Sequence, residues 1–259
     1  MGWLVVTQLP NLRYNKNTFI GVTVMNALYK RVLIKISGEA LSGEKGNGYD
    51  SEVLQEVATQ IKKVRDLGVQ VCIVVGGGNF WRGRQNLNMN RSTADYMGML
   101  ATVMNSLCLQ ETLISAGVPT IVQTSFTVMP MARPFDRREA DEALNCGKVV
   151  IFGGGTGSPF FSTDTTASLR ACEMEVDLLL LAKNVDGIYD SDPKTNPNAK
   201  RYDVISYDEV IAQNLKAMDL TSVIMCKENN VPVFAFALLE EDSILRALTD
   251  ETCPGTWIK

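Results

Sequence analysis

Three short segments of this 259-residue chain carry the residue types that hold phosphate. The richest is 153–167, GGGTGSPFFSTDTTA, where a glycine run leads straight into serine and threonine hydroxyls and one carboxylate, Asp164, at the start of an expected helix. Glycine frees backbone amides, the hydroxyls add donors, and a helix N-terminus aims further N–H groups at the same point. That is an anion site, and the carboxylate beside it suits a positioned cation or a magnesium–phosphate centre. KISGEA at 35–40 and VVGGGNFWRG at 74–83 have the same character, so the sequence predicts one large phosphate site built from three loops.

Each segment also has a plainer explanation. Lys35 lies inside the apolar run 31–37, RVLIKIS. A lysine there is costly to bury unless an anion meets it, so it is either a phosphate-neutralising group or an edge lysine that reaches solvent. Gly38 lets backbone approach a ligand. Gly76, Gly77 and Gly78 follow a second apolar run and precede Arg82, whose guanidinium can clamp phosphate with two parallel bonds. The run is neither G-x-G-x-x-G nor a Walker loop, and GEKGNGYD at 43–50 has Walker glycine spacing without its Lys-Ser/Thr. Asp95 falls in the first turn of a helix beginning near Ser92, where complementing the helix dipole is explanation enough. Of Phe160 and Phe161, one is expected in the core. The loop AKNVDGIYDSDP at 182–193 carries ordinary turn signals. Within it Tyr189 offers an aromatic face to a purine and Asp192 an acceptor for ribose or base.

Composition narrows the chemistry. The chain has no histidine, which removes Ser–His and Cys–His nucleophiles and zinc sites of the usual Cys/His kind. Catalysis has to run on Lys, Arg, Asp and backbone dipoles. The six cysteines (Cys72, Cys108, Cys146, Cys172, Cys226, Cys253) form no C-x-x-C pair and predict reduced, mostly buried thiols in a cytoplasmic protein. A net charge of −4 argues against a nucleic-acid partner. Residues 1–28 contain neither an apolar run of membrane length nor the parts of a signal peptide. They are expected to be a poorly ordered extension or a start set upstream of Met25, the alternative being an arm that packs on a neighbour.

The elements that must position these loops alternate. Continuous apolar runs at 31–37, 69–75, 119–124, 148–152, 176–182 and 232–238 predict strands covered on both faces, hence a mainly parallel sheet. Helices are predicted at 51–67, with Ser51 as N-cap and Gly68 as stop, and at 93–116, with Tyr96, Met99, Leu100, Val103, Met104 and Leu107 on the buried face. Further helices are predicted at 164–175 and at 206–228, the last broken once. No repeat or long linker divides the chain, so ligand loops are expected together at the C-terminal ends of the strands.

In their order, KISGEAL, GGGNFWRG, NRSTADYMGMLATVMN, GTGSPFFSTDT and VDGIYDSDP resemble the bacterial UMP kinases of the amino-acid kinase superfamily, from about residue 29 to the C-terminus. The resemblance implies one domain over 29–259 with a three-layer α/β/α fold around a central mainly parallel sheet. It implies ATP and UMP as substrates, UDP and ADP as products in pyrimidine nucleotide biosynthesis, Mg²⁺ carried by ATP rather than by the protein, and a cytoplasmic homohexamer. GTP activation and UTP inhibition are common in that family, and no membrane or nucleic-acid partner is implied. By the same resemblance Lys35, Ile36, Ser37, Gly38, Gly78 and Arg82 would meet the ATP phosphates, and Asn184, Tyr189 and Asp192 the adenosine. Gly77 and Asp95 would contact UMP, Asp95 through the ribose. Thr156, Gly157, Ser158, Pro159, Phe160, Phe161, Ser162 and Thr163 would wrap its phosphate and uracil. Lys35, Arg82 and Asp164 would be the catalytic groups, with Asp164 organising either Lys35 or Mg²⁺. Lys183 lies near the place where some superfamily members use a second phosphate lysine. Ser158 stands where Asn is usual, and Gly153 and Gly154 replace more typical small residues. Two rivals remain: another small-molecule kinase on this fold, and a non-catalytic nucleotide-binding or storage homologue.

Overall fold

A computed structural model describes residues 18–19, 22–23, 27–81, 89–193, 195–250 and 252–259. The expectations for Arg82 and for most of residues 1–28 lie outside the described residues. All six expected strands form, each within two residues of its expected ends: β1 (Arg31–Ile36), β2 (Gln70–Val75), β3 (Thr120–Thr124), β5 (Val149–Gly153), β6 (Leu178–Lys183) and β8 (Val233–Ala237). With the short strands β4 (Arg133–Pro134), β7 (Val204–Ile205) and β9 (Thr256–Ile258) they make a nine-stranded sheet in the order β7-β9-β8-β6-β1-β2-β5-β3-β4. Every pairing is parallel except β8 with β9.

Helices cover both faces, because both faces of these strands are apolar. On one side α1 (Ser51–Asp66), α2 (Arg91–Ser115) and α7 (Ser243–Thr249) pack Ile61, Leu109 and Ile244 against Ile34, Ile36 and Ile73. On the other, α3 (Arg137–Asn145), α4 (Thr163–Glu173), α5 (Tyr207–Ala212) and α6 (Leu220–Glu228) pack Leu144, Ala167 and Val223 against Leu33, Val74 and Leu181. The result is the three-layer α/β/α sandwich. The break expected within 206–228 separates α5 from α6.

Two helix expectations need correction. Asp50, not Ser51, caps α1: its Oδ1 accepts from Glu52 N at 3.0 Å and Val53 N at 3.4 Å. In α2 the predicted stripe is half wrong, since Met99 and Val103 are buried but Tyr96, Leu100 and Met104 are exposed. The face that turns inward carries Ala94, Ala101, Thr102, Asn105 and Ser106 instead. Small and polar residues sit there because the helix lies directly on glycine loops and must approach their backbone closely. A Cβ on Gly77 would stand 2.7 Å from the Gly98 carbonyl of this helix.

Candidate active site

The first two loops lock together behind a wall of main chain. Ser37 directly follows β1 and accepts a bond from Ala40 N at 3.2 Å, starting the single turn Gly38–Leu41. Gly38 then passes under the Gly76–Gly78 loop. A Cβ there would meet Asn79 Oδ1 at 2.6 Å, and the Gly76 carbonyl and Gly78 nitrogen at 2.7 Å. Two buried amides fasten the loop from behind: Asn105 donates to the Gly76 carbonyl at 2.6 Å, and Asn79 to the Gly48 carbonyl at 2.8 Å. Gly38→Ala is therefore expected to push the two loops apart. Overpacking of this kind costs about 1–3 kcal/mol, so the melting temperature should fall by a few degrees while kcat/KM falls far more. Calorimetry beside steady-state kinetics checks this.

The third loop is shaped by left-handed backbone. Gly154, Gly155 and Gly157 have φ of 81°, 60° and 81°, and Phe160 has 74°. The loop is pinned to α2 at two points, by Gly154 N to Thr102 Oγ1 at 2.8 Å and Phe160 N to Asp95 Oδ2 at 2.8 Å. Arg91 adds to the second pin, 3.6 Å from Asp95 and with its guanidinium 4.8 Å from the Phe160 ring centre. Asp95 thus does more than complement a dipole, because it also holds the loop opposite. Neither phenylalanine is core: Phe160 is 60% exposed and Phe161 50%. Both line the larger cleft, and Phe160 has left-handed backbone.

Ser162 ends this loop and caps α4, accepting from Asp164 N at 3.0 Å and Thr165 N at 3.2 Å. The cap brings Asp164 over the edge of the sheet, where its Oδ1 lies 2.8 Å from Lys35 Nζ. The lysine inside the apolar strand is therefore met by an anion of the protein itself.

Two residues complete the cluster. Lys183, the last residue of β6, lies beside Lys35: β1 pairs with β6 in parallel, Lys35 opposite Leu181. Lys183 is two residues further on, so both lysines point to the same face. Burial pushes the Lys183 ammonium below the ordinary lysine pKa; Asp164 opposes that shift and Lys35 adds to it. Its Nζ donates to the Ala217 carbonyl. Asp219 caps α6 and ties it to α4. Burial raises its pKa, but hydrogen bonds from the Ser162 hydroxyl, the Ser222 amide (2.9 Å), the Thr165 hydroxyl (2.8 Å) and the Ser222 hydroxyl (3.0 Å) prevail and hold it low.

Two clefts meet at this cluster. The larger, about 630 Å³, is lined by Gly77, Gly78, Asp95, the stretch 160–164 and Asp219. The smaller, about 540 Å³, is lined by Asn184, Asp186, Tyr189, Pro193 and Leu239. Lys183 lines both. Tyr189 is fixed in its wall, its hydroxyl donating to Asp186 at 2.6 Å, with Arg201 2.6 Å from the other oxygen of Asp186. Thr156, Gly157, Ser158 and Pro159 form the bend behind the larger cleft, where the Thr156 hydroxyl donates to the Ser158 carbonyl at 3.1 Å, and are not among the residues lining it. Asp192 is likewise not among those lining the smaller one. Ile36 is fully buried and can offer only main chain.

Sequence reasoning missed Asn79, Asn105 and Asp219, and left Lys183 without a role. For Lys183 a signal existed: it ends an apolar strand, just as Lys35 interrupts one. For Asp219 it was the Asp-Leu-Thr-Ser string that starts a helix.

Paired lysines and a carboxylate at the C-terminal edge of a parallel sheet, between two clefts, are the arrangement of a small-molecule phosphotransferase. The chain belongs to the amino acid kinase family, whose profile matches residues 30–236. Among solved structures it is similar to the UMP kinase of Bacillus anthracis, with 40% identity and a TM-score of 0.85 over 89% of this chain and 96% of that one. The UMP kinase of Ureaplasma parvum matches at 38% identity and a TM-score of 0.84, covering 89% and 98%. The uridylate kinase of Archaeoglobus fulgidus is more distant, with 28% identity and a TM-score of 0.67, covering 88% and 99%. Among the described residues, no helix is long and apolar enough to cross a membrane.

Proposed function

We propose that this chain transfers the γ-phosphate of ATP to UMP, giving ADP and UDP. The observation that carries this reading is Lys183 in the wall shared by the two clefts, with the Lys35–Asp164 pair on the same face of the sheet. A donor in one cleft and an acceptor in the other would meet where positive charge is already concentrated. The likeness to proteins described as UMP kinases, at 38–40% identity over almost their whole length, supports UMP as the acceptor.

Phosphoryl transfer needs little covalent help; positioning and charge neutralisation supply most of the rate. In this reading adenosine lies against Tyr189 and Asn184, near Asp192, and the ATP phosphates run past Ser37, Gly38 and Gly78, with Arg82 also on them. UMP occupies the larger cleft, with Asp95 at its ribose and residues 160–163 around its phosphate and base, backed by the bend 156–159. The UMP phosphate is already largely ionised near neutral pH, so no general base is required. One of its oxygens attacks the γ-phosphorus in line, the bond to the bridging oxygen breaks, and ADP leaves. Lys35 and Lys183 stabilise the charge spread over the transferred oxygens, and Asp164 holds the Lys35 ammonium in place. An arriving phosphate also favours the charged form of Lys183, against the burial that disfavours it.

The cleft carboxylates fit a metal ion that arrives on nucleotide phosphate. Asp164 is engaged by Lys35 and Asp219 by hydroxyls and an amide, and among the described residues no three acidic or cysteine side chains gather into a cage. Asp164 is the carboxylate that would help to hold Mg²⁺ brought in with ATP, whose charge would offset that of the phosphates. We extend the reading to a cytoplasmic homohexamer in pyrimidine nucleotide synthesis, activated by GTP and inhibited by UTP.

A coupled assay of ADP release decides the acceptor, run with UMP, CMP and an amino acid, each with and without GTP. UMP is expected to exceed CMP in kcat/KM by about tenfold or more. Turnover of the amino acid without turnover of UMP would replace this reading with another kinase of the family. Binding of ATP and UMP without turnover would leave a non-catalytic homologue.

A further inference from the structure

Arg170 is 5% exposed on α4, and nothing in the proposed transfer uses it. Its guanidinium lies 3.8 Å from the Phe135 ring centre; one Nη bonds Glu173, and the other donates to Ser125 Oγ at 3.1 Å. Its Nε is buried with no partner among the described residues. A buried charge with an unused donor is costly to keep, which directs attention to the bond that, among the described residues, it makes away from its own helix. Ser125 follows β3 directly and touches the third loop repeatedly. Its amide donates to the Gly153 carbonyl at 3.2 Å and its hydroxyl to the Gly155 carbonyl. Gly157 folds back over it so closely that a Cβ would stand 3.1 Å from the Ser125 carbonyl.

The chemistry of the chain Arg170–Ser125–Gly155 sets its direction. A guanidinium can only donate. Its bond occupies the Ser125 oxygen as an acceptor, and the hydroxyl proton is left to the Gly155 carbonyl. Linked bonds of this kind strengthen one another.

We infer that Arg170 is a positioning residue for the acceptor: by orienting the Ser125 hydroxyl it holds Gly155, which lines the larger cleft, in its left-handed conformation. This rests on the reading of that cleft as the UMP site. Asp164 lies six residues earlier on the same helix, roughly 9 Å along its axis, and bonds Lys35 independently of Arg170. The donor side should therefore be spared.

Ser125→Ala and Arg170→Lys test the inference. Each is expected to raise KM for UMP about tenfold, the loss of roughly one positioned hydrogen bond, while KM for ATP stays within about twofold. The double variant should be little worse than either alone, because both cut one chain. Amide exchange of 153–157 in the free protein should quicken in both variants. An unchanged KM for UMP in Ser125→Ala overturns the inference, as does an equal rise in both KM values or a fall in melting temperature alone. If the wild type neither binds nor phosphorylates UMP, the reading of the cleft fails. The exchange measurement then decides the positioning role alone: quickening confined to 153–157 upholds it, and unchanged exchange ends it.

Discussion

Lys35→Ala is expected to lower kcat by on the order of 10²-fold or more, comparable with loss of an oxyanion-hole donor, at saturating ATP and UMP. The side chain starts from the middle of the sheet and its ammonium is held by Asp164 at 2.8 Å; in the proposed transfer it neutralises the phosphoryl group in flight. Removing it also leaves Asp164 uncompensated beside an incoming polyanion. Asp164→Asn should therefore cost less than Lys35→Ala, and the double variant much less than the product of the two losses, because the groups act as a unit. Turnover near the wild-type level in purified Lys35→Ala would remove Lys35 from the mechanism.

Lys183→Met is expected to separate activity from stability. Burial disfavours the Lys183 ammonium, and Lys35 on the neighbouring strand repels it. A lysine whose folded pKa is depressed binds fewer protons folded than unfolded. It therefore weakens the fold in full below that depressed value, and the cost fades as pH rises from there to the ordinary lysine pKa. Methionine has a similar shape without the charge, and replacing a buried charge in this way is often neutral or stabilising. The melting temperature at neutral pH should hold or rise, although the Ala217 carbonyl loses its donor. Turnover should fall by about 10²-fold, as for Lys35. A melting temperature lower by several degrees with activity kept would make Lys183 a structural residue.

Much of the site was legible in the chain because its parts are local. An apolar strand ending in Ser37-Gly38, a glycine run after β2, and Ser162 three residues before Thr165 each specify a turn or a cap from adjacent residues alone. The α/β alternation was legible for the same reason, since both-face burial writes itself into continuous apolar runs. What failed had distant causes. The inward face of α2 could not be read from periodicity because its packing partner is loop backbone rather than side chains, and closeness replaced hydrophobicity as the selecting property. The helix 137–145 was not expected because it buries only Ala140, Ala143 and Leu144 among charged residues.

The sequence by itself determined the strand–helix alternation, the three glycine- and hydroxyl-rich loops and the absence of histidine chemistry. Those properties depend on residue type and near-neighbour spacing. Only the tertiary structure decided that Lys183 stands beside Lys35, that one carboxylate joins the N-termini of α4 and α6, and that Arg170 reaches the third loop through Ser125. Each of these depends on sheet register and helix docking between segments 54 to 148 residues apart in the chain for the first two and 45 for the third. Such register is fixed by the packed whole, and no local pattern encodes it.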